Sequence, residues 1–99
     1  MPVSAVEFKS RLESLYLAAN PRAKSPHGAQ TWFARTACDG EVSRKTVYAY
    51  TIGDRQVGGL LFVVLRLLED RYHDLLPFAE HRRLLHYKRK QAKQERGGD

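Results

Sequence analysis

The apolar residues of this chain recur at helical steps, and no two alternating runs stand ready to pair into a sheet. Phe8, Leu12, Leu15 and Ala19 follow one another at steps of four, three and four, which puts them on one helical face. Ser4-Ala5-Val6-Glu7 ahead of them has the form of a capping box. In such a box the Ser hydroxyl accepts from the amide three residues on, and the Glu reaches back to the Ser amide. Asn20-Pro21 stops that helix, and Arg22 to Gly28 reads as a polar, turn-rich loop. A second helix is predicted from Ala29 to about Cys38, with Trp32 or Phe33, Ala34 and Ala37 facing inward. Asp39-Gly40 signals a turn. Ser43 is the natural N-cap of a third helix over Arg44–Ile52, with Val47 and Tyr50 on its buried side and Gly53 as its left-handed stop.

The run from Leu60 to Leu68 is apolar on nearly all sides. Its β-branched pair, Val63-Val64, suits a buried strand, but the pattern extends to Tyr72 and Leu76, too long for an ordinary strand. A fourth helix at the centre of the fold is therefore expected. Pro77 starts or kinks the next segment, and a last basic helix is predicted from Phe78 to about Gln94. The fold class is all-α, a four- to five-helix domain. Residues 1–77 are read as the domain and 78–99 as a basic C-terminal helix or tail.

A chain of 99 residues supports one domain with one small core. Its single cysteine, Cys38, excludes an internal disulfide framework and fits a reducing compartment. No apolar stretch approaches the ~20 residues that cross a bilayer. The start, Met1-Pro2-Val3-Ser4-Ala5-Val6-Glu7, lacks the basic and apolar regions of a signal peptide. A cytoplasmic location is expected. The net charge of +6 is uneven: residues 1–80 balance at +1 and residues 81–99 at +5. Such an asymmetry points to a polyanionic partner.

The stretch from Gln30 to Leu68 carries the functional signal. Gln30-Thr31-Trp32-Phe33-Ala34 is followed by a turn, and then by Val42-Ser43-Arg44-Lys45-Thr46-Val47-Tyr48-Ala49-Tyr50. Gly53-Asp54-Arg55-Gln56-Val57 and the Leu-rich helix come next. This resembles the lambda-repressor-like (Cro/XRE-type) helix-turn-helix family, over about forty of the 99 residues. There are departures. Cys38 takes the position where the family usually has Gly, Asp39-Gly40-Glu41 reads as an insertion, and Gly58-Gly59 stands where Pro is common.

The resemblance implies a sequence-specific, double-stranded-DNA-binding protein, a small transcriptional regulator of phage or bacterial type that often acts as a homodimer. Ala34 is small, as needed where the two helices cross closely. Ser43 caps the recognition helix and leaves its first amides able to hold a phosphate. Arg44 and Lys45 follow at the end that reaches base edges, and Thr46, Tyr48 and Ala49 belong to the same helix. Gln30, Thr31, Arg55 and Gln56 suit phosphate contacts, as do Lys88, Arg89 and Lys90 of the tail.

No Gly-rich phosphate loop, nucleophile elbow or His-Glu-x-x-His motif is present, so neither catalysis nor a cofactor is expected. His27, His73, His81 and His86 are too scattered to predict a metal site. Glu69, Asp70 and Asp74 beside Arg66 and Arg71 read as an ion-paired surface. A second reading keeps the scaffold but makes the chain a protein–protein adaptor whose basic tail docks an acidic partner. A third uses residues 78–94 on an anionic membrane surface, although their apolar face is thin for anchoring.

Overall fold

Two serines and two glycines set the punctuation of the chain. The computed structural model describes residues 4–97; Met1-Pro2-Val3, part of the N-terminal stretch read above for a signal peptide, and Gly98-Asp99 lie outside it. Among the described residues there are five helices and no strand: α1 (Ala5–Ala19), α2 (Ala29–Thr36), α3 (Arg44–Ile52), α4 (Gly59–Arg71) and α5 (Leu76–Gly97). Ser4 accepts from the Glu7 amide at 3.1 Å and opens α1. Asn20 closes it, donating to the Tyr16 carbonyl from both its backbone and its side chain at 2.9 Å. Ser43 accepts from the Thr46 amide at 3.3 Å and opens α3. Gly53, at φ 86°, ends α3, and the Asp54 amide turns back to the Ala49 carbonyl at 3.0 Å. Helix α2 stops at Thr36, short of Cys38. Asp39 and Gly40 take positive φ, and the Gly40 amide satisfies the Ala34 carbonyl at 3.0 Å.

The helix at the centre is α1, not α4. It packs against all four others. Phe8, Leu12 and Leu15 form one cluster with Ala29, Phe33 and Ala34 of α2, Val47 of α3, Val57, and Leu65 of α4. On the far side of α1, Leu17 and Ala18 meet Ala79 of α5. Ala19, expected on the buried face with Phe8, Leu12 and Leu15, is only half-buried.

The apolar run of α4 is the main correction. Leu65 is its one fully buried residue, while Leu60, Val63 and Leu67 are 80, 51 and 66 % exposed. A helix turns about 100° per residue, so a single neighbour covers a single stripe. Leu61, Leu65 and Leu68 fill that stripe against the core, and among the described residues Leu60, Val63 and Leu67 on the other side stay exposed. The surface ion pairs expected around Glu69 also give way to a tie between helices. Arg11 of α1 grips the Glu69 carboxylate with two N–H groups, one of them at 2.9 Å, and lies 4.8 Å over the Phe62 ring. This bidentate geometry pins α4 to α1.

Helix α5 lies along α1 and is fastened to it by polar bonds. Arg82 donates to the carbonyls of Leu17, at 3.1 Å, and Ala23; Arg83 donates to the Ser14 hydroxyl at 3.2 Å. The basic residues of the tail thus divide: Arg82 and Arg83 hold the fold, while Lys88, Arg89 and Lys90 are exposed. Ala34, 5 % exposed at the meeting of α2 and α3, is where packing decides how α3 sits. Ala34→Leu is expected to lower unfolding free energy by about 1–3 kcal/mol through overpacking, read from urea melts.

Candidate nucleic-acid interface

Helix α3 presents Arg44, Lys45, Tyr48 and Ile52 outward, at steps that place them along one exposed face. Val47 and Thr51 are buried on the adjoining inner side, which fixes the rotation of the helix about its axis. Ser43 and Thr46 are joined at its start, their hydroxyls 3.2 Å apart. Ala49 is half-buried, with only a methyl to offer.

The start of α2 is held by a close approach. Gly28 stands before it at φ 102°, and a Cβ there would lie 3.2 Å from the Tyr16 hydroxyl. The left-handed conformation favours glycine, and any Cβ would press on the Tyr16 hydroxyl. No side chain caps this end, so the first turn, with Gln30 and Thr31, keeps amides available for an anion.

Between these starts and α5 lies a groove of about 390 Å³. Gln30, Thr31, Arg44, Tyr48 and Lys90, all expected site residues, line it together. Lys9, Glu13, His27, His86 and Tyr87 line it too, and sequence reasoning had missed them. The signal for the α5 members was in the spacing, since residues 86, 87 and 90 share one helical face. Lys9 and Glu13, one turn apart on α1, became part of the groove only through the packing of α5 on α1.

Lys9, Arg44 and Lys90 outnumber the single carboxylate of Glu13. Glu13 is 8 % exposed, and its carboxylate accepts a hydrogen bond from the Tyr87 hydroxyl at 2.7 Å. Burial and this bond to Glu13 push the Tyr87 phenol up to about 12, so it stays a donor. The ammonium of Lys9 lies 5.8 Å from the centre of the same ring.

His86 also borders a second cleft, of about 410 Å³, with Arg22, Lys24, Arg82 and Arg89 on its walls. The two clefts form a cationic band across α5. Lys45 and Lys88 are exposed outside them, and Arg55 and Gln56 are exposed in the link after α3. Cys38 packs against the core below the α2–α3 turn, and burial pushes its thiol up, away from the reactive thiolate. Among the described residues no helix is long and apolar enough to cross a membrane.

The bond from Tyr87 to Glu13 has a consequence for stability at alkaline pH. In the unfolded chain the phenol ionises near its ordinary value of 10, whereas in the folded chain it holds its proton to about 12. Its contribution is complete below pH 10 and is lost as pH rises through about 12. Tyr87→Phe is expected to cost about 1–3 kcal/mol at neutral pH, by leaving Glu13 without its donor. It should also flatten the alkaline loss across that window, measured by urea melts from neutral to alkaline pH.

The chain matches no protein-family model, no curated protein and no solved structure with which it was compared.

Proposed function

We propose that the chain binds double-stranded DNA in a sequence-dependent manner, as a small transcriptional regulator. The reading is supported above all by convergence. Gln30 and Thr31 from α2, Arg44 and Tyr48 from α3, and Lys90 from α5 border a single groove with Lys9. In this reading the exposed face of α3 enters the major groove, where an Arg fork matches the paired acceptors of guanine. The open start of α2, Lys9 and the band on α5 take the phosphates on either side. Arg55 and Gln56 touch the backbone beyond the recognition helix.

Fragments selected from a random duplex pool provide the test. Wild-type protein is expected to enrich one motif. Arg44→Ala should cost about 1–3 kcal/mol on that motif and relax preference at one or two positions. Removing residues 88–99 should keep the motif and weaken binding to every duplex. It should also reduce the log–log salt slope by about 0.9 for each phosphate that the tail no longer neutralises. An unchanged motif after Arg44→Ala would overturn the role of α3, and an unchanged salt slope after truncation would remove α5 from the interface.

A further inference from the structure

The loop after α1 and the face of α5 beside it enclose the second cationic cleft. Arg22 and Lys24 come from the loop, Arg82 and Arg89 from the helix, with Leu85 and His86 between them. Among the described residues no carboxylate lines this cleft, and none pairs with any of these four cations. The walls are tied to each other. The Ala23 amide closes the turn onto the Asn20 carbonyl at 2.9 Å, and the Ala23 carbonyl accepts from Arg82. Ala23 stands between Arg22 and Lys24, so one bond holds both of their backbones beside α5. Arg82 also donates to the Leu17 carbonyl at 3.1 Å, and these two bonds use two of the five N–H donors of a guanidinium. An apolar hollow of about 150 Å³ continues from the cleft, sharing Pro21 and Arg82 with it. Leu75 and Phe78 border the hollow, 46 and 71 % exposed. Phe78, Arg82, Leu85 and Arg89 follow at steps of four, three and four, on one face of α5. That face runs for about 16 Å, aromatic at one end and cationic at the other.

We propose that this face binds a nucleoside polyphosphate, with its phosphates in the cleft and its base on Phe78. Cations without a counter-charge suit linked phosphates, since an Arg fork takes two phosphate oxygens at once. The base needs a flat apolar surface, and the exposed ring of Phe78 offers one. Size argues for a small molecule over a strand. Single-stranded nucleic acid is tracked by successive aromatic residues, and Phe78 is the one aromatic ring among those lining the cleft and the hollow. The cleft, at about 410 Å³, falls within the range of small-ligand pockets. No residue of α3 borders it, so the proposal holds whether or not α3 enters DNA.

Calorimetric titration of the full chain without DNA tests it, in magnesium-free buffer at about 0.1 M salt. The probes are ATP, GTP, tripolyphosphate and adenosine. ATP and GTP are expected to bind at a single site with Kd of about 10–100 μM. Tripolyphosphate should bind about tenfold more weakly, having no base to stack, and adenosine should give no measurable heat. Phe78→Ala should remove the advantage of ATP over tripolyphosphate and leave tripolyphosphate itself unchanged. Arg22→Glu combined with Arg89→Glu should abolish binding of both. Arg35→Glu and Arg66→Glu, at exposed cations outside the cleft, should alter neither. Circular dichroism of each variant should match wild type. No saturable binding up to about 1 mM would overturn the proposal, as would equal affinity of the wild type for ATP and tripolyphosphate. Binding lost equally with Arg35→Glu would do the same, because charge alone would then explain it. So would binding lost with Lys9→Glu and kept by the cleft variants, which would put the ligand in the first groove.

Discussion

Phe8 is the fixed point from which the geometry of the fold follows. Its ring is wholly buried, meeting Phe33 of α2 edge-on at 5.9 Å and Tyr50 of α3 at 6.0 Å. Edge-to-face pairs add about 0.5–1.5 kcal/mol each to the burial of their area. Their directionality matters more here than their size. An aliphatic side chain on α1 would bind α2 and α3 together, but it would leave their crossing angle free to adjust. The two ring contacts restrict that angle, and with it the direction in which Arg44, Lys45 and Tyr48 leave the surface. The outward chemistry of α3 is thus set from the inside by a residue on another helix.

Local punctuation was legible in the sequence because its causes are local. Ser4 and Ser43 cap the helices they were expected to cap, Gly53 ends α3 in the left-handed conformation, and Asp39-Gly40 makes the turn. The all-helical class followed from the same short-range periodicity. The place of α4 did not, because periodicity reports which residues are apolar and not how many neighbours the fold supplies. A run apolar on every side looks central, yet a chain this small has one central position, and α1 occupies it. Glu69 departs from its expected role for the same reason. Arg66 and Arg71 stand beside it in sequence, but Arg11, fifty-eight residues away, takes its carboxylate.

The candidate groove was half legible. Gln30, Thr31 and Arg44 stood out through their places at helix starts, Tyr48 through its place on α3 away from Val47, and Lys90 through its basic surroundings. Lys9 and Glu13 carried no such mark, and Tyr87 only the helical spacing it shares with His86 and Lys90. They are ordinary residues on two helices whose pairing no local pattern announces. The tail also proved less uniform than its charge density implied. Ala79, Arg82, Arg83, His86 and Tyr87 form the stripe that turns toward the domain, and Lys88, Arg89, Lys90 and Lys93 are exposed. One helix therefore serves as a structural brace along one face and as a source of positive field along the other.

The bonds that fasten α5 to α1 join residues 65, 69 and 74 positions apart in the chain. Contacts this distant are made late, because the ends of a long loop must meet before the contact returns any stability. Synthesis adds a second delay, since α1 leaves the ribosome well before α5 has been translated. Until then Leu17 and Ala18 have no Ala79 to pack against. The groove shares that history. Its α3 wall is made early and its α5 wall last, so a chain interrupted before residue 76 carries the cations of α3 with nothing opposite them. Assembly of the candidate groove and completion of the fold are one event.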